Sequence, residues 1–314
     1  MYYLNDYREG QKLVGTYLCK SKQILKTKAG KTYYSLILQD KTGTADAKIW
    51  ELGRGIEDFE TMDYIYCEGL VTRFQGNIQM NISRVRRSEE GEYDPADYVP
   101  CTNKDVGEMF SRILKYVASV QNKYLRKILE MYFVENKEFV DAFKKHSAAK
   151  SVHHGFMGGL LEHTLSVTDM CQYFAEHYPM IHRDLLITAA LFHDMGKIQE
   201  ISDFPMNDYT DDGQLLGHIY IGARCMENAA AQIPNFPPKL KNELVHCILA
   251  HHGKMEFGSP KVPAIMEAMA LHMADNADAK LQTLTEVFTQ AGDNMGWLGF
   301  NRMFESNLRK TSEE

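Results

Sequence analysis

The sequence predicts a two-domain β + α protein, a small five-stranded barrel followed by an all-helical domain. Three observations lead there. Residues 1–90 break into short segments rich in β-branched and aromatic residues, separated by turn signals. From residue 105 almost to the end, apolar residues recur at helical spacing, as in Phe110, Ile113, Leu114 and Val117. All twelve histidines lie at or after position 146, a shift that separates two domains of different chemistry and makes the second a candidate metal or acid–base site.

The strands expected are Leu13–Cys19, Tyr33–Asp40, Thr44–Trp50, Tyr64–Phe74 and Ile78–Arg86. Asp40-Lys-Thr-Gly43 and Gly76-Asn77 read as hairpin turns. Five strands with one short interruption, for which a helix over Glu51–Glu60 is one reading, suit a barrel of the OB type, with an SH3-like barrel as the competing form. We assign residues 1–88 to this domain and 89–104, acidic and carrying two prolines, to a linker. Thr102 and Asp105 are spaced as a capping box at the first helix. Connecting helices are expected over 105–120, 123–133 and 137–145. The catalytic domain, 151–304, is expected to carry helices 160–177, 184–195, 217–232, 238–251 and 263–290. The polar residues 305–314 read as a frayed tail.

Composition narrows the function classes. No apolar run approaches the roughly 18 residues that span a bilayer, and the N-terminus MYYLNDYREG lacks the form of a signal peptide. The cytoplasm is the expected location, with no membrane partner. Six scattered cysteines without a CxxC pair read as reduced thiols. The net charge of −7 alone argues against a nucleic-acid binder. Residues 1–90, however, carry 14 Lys and Arg against 12 Asp and Glu, a net of +2, so the remainder carries −9. The first domain is permissive for a strand, and acidic residues in the second are compensated once divalent cations bind.

The chemistry lies in short segments: Gly158-Gly-Leu-Leu-Glu-His163, Leu191-Phe-His193-Asp194-Met-Gly196-Lys197, Gly217-His218, Ala250-His251-His252-Gly253, and Asp275 within LHMADN. Adjacent residues in mid-helix point about 100° apart, so His193 and Asp194 converge only where a helix ends. Gly196, of the type common just past a helix end, places that end near Met195. Imidazole and carboxylate together suit Mn, Fe, Co, Ni or Zn. One His-Asp pair supplies too few ligands, so other helices must contribute, and the ordered set H…HD…H…HH…D can do so. Lys197, three residues beyond the pair, either satisfies a helix C-terminus or faces a substrate.

The set His163, His193-Asp194 and Asp275 resembles the signature of the HD-domain phosphohydrolases, with His218 and His251 or His252 as in the binuclear subset. GGLLEHTLSV and HDMGK within a barrel-plus-HD chain resemble, more narrowly, the YhaM-type 3′→5′ exoribonucleases, over essentially the whole length. The resemblance implies an HD helical bundle and two divalent metals, manganese foremost. It places one metal on His163, His193, Asp194 and Asp275. The second would share Asp194 and add His218 and His251, with His252 as alternative or further ligand. It implies Asp194 and Lys197 as catalytic residues, Lys197 beside the substrate phosphate, and a homo-oligomer. No GYP motif follows the HD pair, which disfavours the cyclic-dinucleotide branch.

The partner so expected is single-stranded RNA, with DNA as an option. The barrel would grip it by stacking and cations, through Phe74 and Arg73 at the Gln75-Gly-Asn77 hairpin, Tyr33 and Lys48, and His154 would contact substrate beside the helical site. The competing function is hydrolysis of mononucleotides or cyclic nucleotides at the same metals.

Overall fold

The computed structural model describes residues 2–74, 76–150 and 154–312. Gln75 of the expected hairpin and His153 lie outside them. The chain divides into two compact units, Met1–Cys101 with Phe204–Met206, and Thr102–Asp203 with Asn207–Glu314.

The first unit is a closed barrel of β1 (Lys12–Lys26), β2 (Thr32–Asp40), β3 (Gly43–Ile49), β4 (Tyr64–Phe74) and β5 (Asn77–Arg87), in the order β1-β2-β3-β5-β4. This is the five-stranded OB arrangement expected. Closure depends on β1, whose first half pairs with β4 and second half with β2. A register shift between Cys19 and Ser21 bends it from one partner to the other. Strand alternation sends Leu36, Leu38, Ala47 and Ile49 inward, where they meet Leu13, Ile65, Val71 and Met80. Inside, the hydroxyls of Tyr7 and Tyr17 satisfy each other at 2.9 Å.

Two expectations about this unit change. Glu51–Glu60 is not helical. Its glycines include Gly55 at φ +96, a conformation closed to an α-helix, and the segment instead delivers Phe59 to the barrel core. The acidic stretch after β5 is no free tether, because Tyr93 stacks on Tyr64 at 4.0 Å and Tyr98 is buried.

The second unit is helical: α1 (Val106–Ser119), α2 (Lys123–Phe133), α3 (Lys137–Lys145), α4 (Gly159–His177), α5 (Arg183–Phe192), α6 (Lys197–Glu200), α7 (Asp211–Ala231), α8 (Pro238–Ala250) and α9 (Met266–Gln290). Asp105 caps α1 by accepting from the Glu108 amide at 2.8 Å. Thr102 does not form the expected box; its hydroxyl donates to Glu162. A core around Phe133, Phe143, Phe192, Leu161, Ile187 and Ile248 joins the helices. The tail is not wholly frayed, since β7 (Ser306–Asn307) pairs with β6 (Phe300–Asn301). Among the described residues, no helix is long and apolar enough to cross a membrane.

Candidate metal centre

Five helices deliver the chemistry. His163 lies in the second turn of α4, a buried stretch that includes Leu160, Leu161 and Thr164. α5 stops at Phe192, three residues earlier than expected, so His193 and Asp194 both lie in the turn before α6. That turn, rather than a helix flank, lets adjacent side chains face one centre. Gly196 has φ −64, so it is no left-handed cap. Its role is contact: a Cβ there would lie 2.1 Å from the His218 carbonyl oxygen. α7 begins before the expected position and kinks at Gly217, with φ 73 and ψ 153. His218 follows the kink, His251 and His252 follow α8, and Asp275 lies on α9.

The side chains form two groups that share Asp194. In one, His163 Nε2 lies 3.2 Å from His193 Nε2, 3.2 Å from Asp275 Oδ1 and 3.3 Å from Asp194 Oδ2. In the other, His218 Nε2 and His251 Nε2 each lie 3.6 Å from Asp194 Oδ1. His252 belongs with this second group, its candidate ligand atom within 4.8 Å of those of His218 and His251. Both histidines of the 251–252 pair are therefore brought to the centre.

The outer nitrogens explain why the inner ones face inward. His193 Nδ1 donates to the Ala190 carbonyl at 2.8 Å, His251 to Ile248 at 2.7 Å and His252 to Phe257 at 2.8 Å. His218 donates to Glu200 at 2.9 Å and His163 to Asp278 at 2.6 Å. A carbonyl or carboxylate can only accept, so Nδ1 carries the hydrogen and Nε2 is left as the inward ligand atom. Asp194 Oδ1, His218 Nε2 and His251 Nε2 are buried without hydrogen-bond partners. Buried polar atoms left this way are costly, and the N and O donors fit divalent transition cations.

The electrostatics agree with that fit. Burial opposes the ionised Asp194, yet Lys197, His193 and His163 hold its carboxyl well below the usual carboxylate range. Lys197 Nζ lies 2.6 Å from Asp194 Oδ2. Burial also opposes charge on His163, but Asp194, Asp275 and Asp278 outweigh it and raise its pKa well above 6.5. Burial, helped by neighbouring His251, depresses His252 to about 4.

Sequence reasoning missed Asp278 and Glu200. Asp278 lies three residues after Asp275, on the same face of α9, and that spacing was its one available signal. Glu200 Oε1 accepts from both the amide and Nδ1 of His218, at 2.9 Å each, and no spacing announces it. His154 is corrected: it is 2% exposed and its Nε2 bonds Asp278 at 2.9 Å, so it braces the centre instead of meeting a strand.

In the barrel, Phe74 is 58% exposed at the end of β4. Arg73 donates to the Gly76 carbonyl at 2.6 Å and pairs with Glu9 at 3.3 Å. Tyr33 stacks on Trp50 at 4.6 Å. Lys48 is a poor phosphate contact, because Asp46 at 2.6 Å and the Ser35 hydroxyl at 2.8 Å engage its ammonium.

A helical unit that converges histidines and aspartates in this order defines an HD-domain protein, and the HD domain family matches residues 160–280. The 3′-5′ exoribonuclease YhaM of Geobacillus sp. (strain WCH70) is 33% identical over 81% of this chain and 78% of its own length. That of Listeria innocua serovar 6a is 32% identical over 90% of each. Among solved structures, the second OB-fold domain of replication protein A from Methanococcus maripaludis matches 29% of this chain and 96% of its own, at 16% identity and a TM-score of 0.24. The chain belongs to the family of 3′-5′ exoribonuclease YhaM, and it is a hydrolase of phosphodiester bonds.

Proposed function

We propose that this chain is a metal-dependent 3′→5′ exonuclease that hydrolyses single-stranded RNA to nucleoside monophosphates. The observation that carries the reading is Asp194, whose two oxygens face two different histidine groups. One cation would be held by His163, His193, Asp194 and Asp275, and a second by Asp194, His218 and His251 with His252. When bound, two divalent cations lower the pKa of a water and neutralise the phosphate oxygens. The residues do the rest. The Nδ1 hydrogen bonds keep each imidazole in the tautomer a ligand needs. Lys197 Nζ, buried beside Asp194, supplies a positive charge against the phosphate. The cleft above these groups, about 440 Å³ and lined by Lys197, His218, His252 and Asp275, is within the roughly 300–1,000 Å³ range of small-ligand sites. That volume is enough for one nucleotide at the centre. The barrel supports the reading as a single-strand grip, through exposed Phe74 and the Tyr33–Trp50 pair.

The test is digestion of a 5′-labelled single-stranded RNA with Mn²⁺, with and without EDTA. A metal-dependent ladder shortening from the 3′ end is the expected result. Internal cuts, or a ladder indifferent to EDTA, would overturn it. An intact oligomer alongside hydrolysed mononucleotides would reassign the centre to a nucleotide phosphohydrolase.

A further inference from the structure

We infer that Tyr209 and Phe257 form an aromatic clamp at the mouth of the metal cleft, which stacks on the base of a 5′-phosphorylated nucleoside. The inference rests on the nuclease reading for where that nucleoside comes from, the 3′ end of a strand, and on the cleft alone for its chemistry.

Both rings line the same cleft as Lys197, His252 and Asp275. Tyr209 is 45% exposed and Phe257 57%, so both leave aromatic surface open to a ligand. Neither ring is loosely attached. The Phe257 carbonyl accepts the Nδ1 hydrogen of His252 at 2.8 Å, so this ring shares its residue with the group that orients a candidate ligand. Tyr209 pairs through its backbone with Ile201, and the next residue, Thr210, caps α7, the helix that carries His218. The clamp and the metal-facing imidazoles are thus set by the same short segments.

Each ring has a lysine beside it. Lys150 Nζ lies 5.8 Å from the Tyr209 centroid and Lys254 Nζ lies 5.4 Å from that of Phe257. Asp208 at 2.5 Å and Glu256 at 3.1 Å pair with those lysines, so the rim is close to neutral. Its attraction is therefore for a π-face and not for phosphate charge. Ala148, Ala149 and Ala279 line the cleft with methyl groups, and Asn276 is the lining amide within it. Stacking tolerates every base, since each offers a π-face, which is what an enzyme that shortens any sequence requires.

The experiment compares AMP with ribose 5-phosphate by titration calorimetry on the full chain in MnCl₂. AMP should bind about tenfold tighter or better, the usual scale of one stacked base. Tyr209→Ala and Phe257→Ala should each lose most of that preference, while Tyr209→Phe and Phe257→Tyr keep it. Both positions are half-exposed, so the alanine variants should melt as the parent does. A second arm uses 5′-labelled RNA with and without an abasic 3′ nucleotide. A raised KM for the abasic strand, absent in the alanine variants, assigns the clamp to the strand end; a preference confined to the first arm assigns it to the released product. Equal handling with and without a base in both arms, or a base preference that the alanine variants retain, overturns the clamp. Failure of the nuclease reading shows separately, as RNA left intact while AMP is still preferred over ribose 5-phosphate.

Discussion

Gly196 packs so tightly against the backbone of His218 that a Cβ would fall 2.1 Å from its carbonyl oxygen. The atom in the way is backbone and cannot swing aside. Gly196→Ala should therefore cost stability toward the upper end of the ~1–3 kcal/mol usual for overpacking. It should also displace His218 from Asp194. Thermal melting with and without Mn²⁺ checks both: the parent's metal-induced rise in Tm should shrink in the variant.

Among the described residues, Asp278 reaches the candidate ligands through His163, and it also bonds His154 and Ser166. Asp278→Asn keeps the size and can still accept from Nδ1, but it removes the charge that raises the ligand's basicity. Metal affinity should fall by about 10–100-fold, the range for partners of ligating histidines. Calorimetry reads this directly, and an unchanged affinity would make Asp278 a packing residue.

Proton release should accompany metal binding. With His163 raised well above 6.5 by its aspartates, against the opposing effect of burial, the metal-free protein holds an extra proton there at pH 7. His252, depressed to about 4 by burial and His251, holds none. A cation must displace the His163 proton to reach Nε2, so binding should release about one proton and weaken as pH falls. Calorimetry in buffers of different ionisation enthalpy counts that proton. Zero release at pH 7 would mean His163 is neutral without metal.

Asp194→Ala removes the carboxylate shared by both histidine groups. Turnover of RNA should fall below detection, while single-strand affinity, carried by the barrel, should change less than about threefold, the scatter of a contact not involved. Labelled-RNA digestion and fluorescence anisotropy measure the two separately. Equal loss of both would contradict the division of labour between the domains.

The barrel was legible wherever one face is buried. Strands β2 to β5 match expectation within about two residues, the usual uncertainty at element ends, because their inward residues alternate. The second half of β1 was not, because Ile24 and Leu25 are exposed there and give no inside-out pattern. Gly217 hid the first turns of α7, since a glycine that kinks a helix reads like one that starts it. The histidine and aspartate set was legible because ligands must be His or Asp. Asp278 and Glu200 act through another residue's nitrogen; Asp278 leaves only its three-residue spacing from Asp275 as a trace, and Glu200 leaves none. Strand alternation already puts Asp46 and Lys48 on one face; what the sequence does not show is that Asp46 and the Ser35 hydroxyl of the neighbouring strand together engage the Lys48 ammonium.

His163 and Asp278 lie 115 residues apart along the chain. Their hydrogen bond forms only once α4 and α9 have packed together, and so non-local a contact must first meet its loop-closure cost. The centre is thus a property of the packed bundle: loosening α9 from α4 would scatter the candidate ligands while each helix kept its own turns.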